Sequence, residues 1–80
     1  MNKCPWEEIS GFQHMYEFDR FVEWMNEQVR ERISEEIIVQ KPLLSRSTFG
    51  EKWYRHIESG EVYRLAWPDP PFTGLFKKVV

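Results

Sequence analysis

The sequence predicts an α+β fold: one long amphipathic helix packed on a three- to four-stranded antiparallel sheet, in a single globular domain spanning residues 1–80. Three observations lead there. Apolar residues between positions 14 and 33 recur at helical spacing, whereas the residues after Ser34 fall into short β-branched and aromatic runs divided by turn residues. Runs of strands that follow a helix favour an antiparallel α+β arrangement. Finally, four Trp, three Tyr and six Phe accompany a single Cys, so aromatic packing has to do the work that disulfides do in other small domains. Thirteen rings are also more than a core of this size hides, so some aromatic surface is expected outside.

The sequence leaves residues 1–13 open between helix, strand and loop, with two weak helical signals. Pro5, with Glu7 and Glu8 behind it, suits the first turn of a short helix. Ser10 and Gln13 instead match the spacing of a capping box that would start a helix at Ser10. From His14 to Ile33 one reading dominates. Met15, Phe18, Phe21, Val22, Met25, Val29 and Ile33 share one face, and no Gly or Pro interrupts them. The spacing predicts a helix of about five turns.

Glu36-Ile37-Ile38-Val39-Gln40, closed by Pro42, predicts a strand, and residues 43–50 a loop. Residues 52–58 and 61–67 flank Ser59-Gly60, a two-residue hairpin signal. That turn would pair His56 with Tyr63, Arg55 with Arg64, Tyr54 with Leu65 and Trp53 with Ala66. Alternation then places Tyr54, His56, Tyr63, Leu65 and Trp67 on one face, and Trp53, Arg55, Ile57, Val62, Arg64 and Ala66 on the other. The first face is assigned to the helix, because two guanidiniums in a core are costly. Arg55 opposite Arg64 is a like-charge conflict that calls for a carboxylate or phosphate between them. Pro68-Asp69-Pro70-Pro71 forms a rigid connection, and residues 75–80 supply a last strand.

Composition narrows the function classes. Charged residues make up 30% and hydrophobic ones 41%, too apolar for disorder and without a run long enough for a bilayer span. The N-terminus lacks a secretory h-region, and one Cys fits a reducing compartment; the expected location is cytoplasmic. His14, His56 and Cys4 do not match a zinc-site spacing, and the four scattered glycines form no phosphate loop. The expectation is therefore a non-enzyme with no cofactor and no metal.

Two charged patterns remain as candidate sites. Asp19, Glu23, Glu27, Glu31 and Glu35 fall at four-residue intervals, which on a continuous helix gives an acidic ridge about 24 Å long. Residues 7–36 hold nine acids against three bases, while residues 37–80 hold four against seven. Such asymmetry steers a basic protein toward the helix. Trp24, beside the apolar stripe, is the expected anchor of that contact. The alternative is a sheet that binds single-stranded nucleic acid or another anion through Lys52, Trp53, Arg55 and Arg64, although an overall pI near 5.7 weighs against it. A homodimer through a free strand edge, at residues 36–41 or 75–80, is a further possibility. In general character (small, single-domain, acidic, aromatic-rich, with a charged helix) the chain resembles bacterial immunity proteins and other small inhibitors of toxins or nucleases. That resemblance is one of class and transfers no residues. It implies a stoichiometric inhibitor or adaptor.

Overall fold

A computed structural model of the chain describes residues 4–39, 50–68 and 71–79. One helix, α1 (Met15–Arg30), precedes four strands, β1 (Ser34–Ile37), β2 (Glu51–His56), β3 (Val62–Ala66) and β4 (Leu75–Lys78). The strands form one antiparallel sheet in the order β1-β2-β3-β4, with α1 packed on one face. Gln40, the loop expected at 43–49, and Asp69 and Pro70 of the proline segment lie outside the described residues.

The helix has 16 residues and so is shorter than its apolar periodicity implied. It starts after His14, an extended N-cap whose side chain makes no capping bond. Glu17 instead reaches back to accept the N–H of Gln13, the residue before the N-cap, at 3.0 Å, and so ties the first turn to the chain that enters it. Its other end is closed by a Schellman motif. Arg32 takes the left-handed conformation at φ 62°, its N–H bonds Val29 O at 3.1 Å, and the Ile33 N–H bonds Gln28 O at 2.9 Å. Glycine usually occupies that position, and Arg32 hid the stop. The reversal brings Ser34 directly opposite His56, so β1 begins two residues earlier than expected.

The hairpin keeps its predicted faces but not its predicted register. Tyr54 pairs with Tyr63, Trp53 with Arg64 and Arg55 with Val62. A two-residue type I′ turn needs positive φ at both central residues, and of the two only Gly60 adopts it, at 77°. The connection therefore widens to four residues, closed by Gly60 N–H to His56 O at 2.7 Å. The slip is an even number of residues, so every side chain keeps its side of the sheet. It also separates the two arginines, and the like-charge conflict disappears.

Residues 4–13 adopt neither expected helix. They run as an extended strap along the outer edge of β4, where Ile9 bridges Phe76 through bonds of 2.7 and 2.9 Å and Phe12 N–H meets Thr73 O at 2.9 Å. Glu8 accepts the Lys78 N–H at 3.0 Å. Gly11 permits this approach, because a Cβ there would lie 2.2 Å from Thr73 Oγ1. The strap thus lies along β4, part of the 75–80 edge considered for a homodimer.

Strap, helix and sheet share one core: Trp6, Phe12, Phe18, Met25, Tyr54, Tyr63, Leu65 and Phe76. Some rings meet edge-on, as Trp6 does with Tyr63 at 5.4 Å and Phe12 with Phe18 at 5.3 Å, while Tyr63 stacks on Phe76 at 5.0 Å. Trp67 also turns inward, edge-on to Phe18 at 5.3 Å, on the helix side its alternation predicted. Of the predicted helical stripe, Phe18 and Met25 are buried and Phe21 and Val22 half-buried. Met15, Val29 and Ile33 stay exposed.

Candidate functional site

The acidic row is distributed over three structural settings. Asp19, Glu23 and Glu27 lie on α1, Glu31 is its C-cap, and Glu35 belongs to β1. Glu35 forms an ion pair with Arg55, and Glu27 one with Arg30. The Arg30 hydrogen bond holds the Glu27 carboxyl below its ordinary range. Asp19 has no ion-pair partner among the described residues, and Glu23 has only the field of the neighbouring Arg20. Arg20 itself is occupied, donating to Tyr16 Oη at 2.9 Å and lying 5.6 Å from that ring's centre. Asp19 and Glu23 therefore leave a negative patch in the middle of the helix, with Glu31 at its end, shorter than the predicted ridge.

Trp24 stands at the boundary of two surface depressions. On one side an open polar groove runs along the helix, lined by Tyr16, Asp19, Arg20, Glu23, Trp24 and Glu27. On the other, between helix and strap, lies an apolar groove of about 580 Å³ lined by Pro5, Trp6, Glu7, Glu8, Ile9, Phe21, Trp24, Gln28, Ile33 and Phe76. The Trp24 ring rests against Trp6 at 6.3 Å and Phe21 at 5.5 Å yet is 42% exposed. Of the expected partner-binding set, the structure brings together Asp19, Glu23, Trp24 and Glu27, and leaves Glu31 at the helix end. The apolar groove was not anticipated. The signal available was the run Pro5-Trp6 followed by Ile9, an apolar segment that neither helical reading explained.

Of the predicted anion-binding set, Trp53, Arg55 and Arg64 share the face away from α1 whereas Lys52, opposite Leu65, lies on the other, and each cation faces a carboxylate. Lys52 Nζ is 3.6 Å from Glu36, Arg55 pairs with Glu35, and Arg64 Nε is 3.6 Å from Glu51. Arg64 also covers Trp53, its guanidinium carbon 5.4 Å from the ring centre. The Trp53 indole donates to Glu51 at 2.8 Å. These contacts leave Trp53 nearly buried, so its face is closed to a stacking base in this conformation.

Cys4, Ser59, His56, Glu61 and Tyr63 gather where the strap meets the β2–β3 turn. His56 is buried, with Nδ1 2.9 Å from Ser59 Oγ, and Glu61 accepts the Cys4 N–H at 3.3 Å. Burial, and secondarily Glu61, push the Cys4 thiol up, the direction opposite to that of an activated nucleophile. Among the described residues no group of three or more His, Cys, Asp or Glu is placed to hold a metal ion, and no helix is long and apolar enough to cross a membrane. No family model matches the chain, and no curated protein or solved structure is similar to it.

Proposed function

We propose that the protein is a small interaction module, a stoichiometric inhibitor or adaptor that docks a basic protein partner on the outer face of α1. One observation carries this reading: a half-exposed Trp24 borders a groove in which, among the described residues, neither Asp19 nor Glu23 forms an ion pair, the neighbouring Arg20 being held by Tyr16. Uncompensated carboxylates raise the encounter rate with a cationic surface. A part-exposed indole supplies a rigid apolar contact at little entropic cost. Asp19 and Glu23 are therefore the charges to reverse, because Glu27 and Glu35 already have arginine partners.

The test is affinity capture from the source cells, with identification of the retained protein and kinetic measurement on the purified pair. The expected partner is basic, forms a one-to-one complex and loses its activity in it. Asp19→Lys with Glu23→Lys should slow association at least tenfold and flatten its salt dependence. Unchanged association and an unchanged salt slope would overturn the reading. The nucleic-acid alternative has less support, since its cations already face carboxylates; a low-salt gel shift tests it directly.

A further inference from the structure

We infer that the apolar groove between the strap and α1 seats a large apolar side chain carried on a cationic segment of the partner; this rests on the interaction reading above and locates its centre. The groove's floor is built from core residues, and Trp24 and Ile33 keep 42% and 36% of their surface exposed at its sides. Trp6, which also lines it, has a buried indole Nε1 with no hydrogen-bond partner among the described residues.

Charge decides the occupant. Glu7 and Glu8 border the groove on the strap side, no Lys or Arg lines it among the described residues, and Asp19, Glu23 and Glu27 lie just beyond Trp24. An apolar side chain entering here brings its neighbours along the chain over carboxylates on both flanks, so lysine or arginine at those neighbours is favoured and glutamate is rejected. A second copy of this chain fits poorly, because a two-fold contact would set each acidic border against its own duplicate. An anionic membrane surface meets the same repulsion.

The test titrates isotope-labelled protein with three synthetic peptides of equal length while following the indole N–H and backbone amide resonances. One peptide carries Leu and Phe flanked by Lys and Arg, the second replaces Leu and Phe by Ser, and the third replaces Lys and Arg by Glu. The first should bind saturably, shifting Trp24, Ile33 and Ile9. The second should bind at least tenfold more weakly and the third without saturation. Trp24→Ala should weaken the first peptide at least tenfold, and Glu7→Lys, at an exposed position outside the core, about threefold. Equal binding of the first two peptides, with shifts confined to Asp19 and Glu23, overturns the groove and leaves the acidic-face reading standing. Equal binding of the first and third overturns the cationic partner, and with it that reading. No saturable shift with the first peptide overturns the groove outright.

Discussion

The two faces of the sheet are held by different physics. Toward α1, Tyr54, Tyr63, Leu65 and Phe76 pack against Trp6, Phe18 and Met25 with almost no exposed surface. Away from it, Trp53 is enclosed by Arg64 and Glu51 while Arg55 and Glu35 pair in the open. The first face draws on buried apolar area, which salt leaves largely untouched, and the second on ion pairs that solvent screens. A domain this small thus concentrates its stability on one side and leaves the other tolerant of change.

The largest break in that comparison is Phe76→Ala. The ring is fully buried and touches Trp6, Phe21 and Tyr63. Its loss should cost about 3–5 kcal/mol, a large share of a typical domain's total. Thermal unfolding followed by circular dichroism should move down by on the order of 20 °C. A shift of only a few degrees would mean that the face repacks.

Next in size is an alkaline transition from the same face. Burial, with Glu36 adding to it, pushes the Tyr54 phenol up to about 12. The folded state holds the neutral phenol, whereas the unfolded chain ionises it near its ordinary value of about 10. This contribution to stability is therefore complete below pH 10 and is lost as the pH rises toward 12. Urea midpoints measured from pH 9 to 12 should fall more steeply for the wild type than for Tyr54→Phe. Parallel curves would remove Tyr54 as the cause.

On the opposite face the effects shrink. Arg64→Ala uncovers Trp53 and should cost about 1 kcal/mol. Arg55→Ala removes a pair open to solvent on both sides and should change stability by less than about 0.5 kcal/mol. The same urea series at low and high salt separates them. If Arg55→Ala costs as much as Arg64→Ala, the outer face is more tightly coupled than its exposure implies.

What the sequence made legible follows from which signals are local. Helical spacing identified α1, and strand alternation placed Tyr54, His56, Tyr63, Leu65 and Trp67 on the helix side. The helix stop was missed because Arg32 fills a left-handed position with a side chain that gives no warning of it. The hairpin register was missed because Ser59-Gly60 resembles a tight turn, yet only one of its residues takes positive φ. The strap was invisible for a different reason: Ile9 finds its partner at Phe76, and no local window contains both. For the candidate site, Trp24 and the mid-helix carboxylates were legible from composition and spacing. The apolar groove was not, because half its wall is the strap.

That same strap has a consequence for synthesis. Trp6 and Phe12 are synthesised more than 60 residues before Phe76, which lies on the strand that the strap pairs with. Until then two large rings wait in solvent beside a helix already able to coil. Folding of this unit is thus an event that follows translation of residue 76, not one that keeps pace with it, and a nascent chain stalled before that point would be an open target for chaperones and proteases.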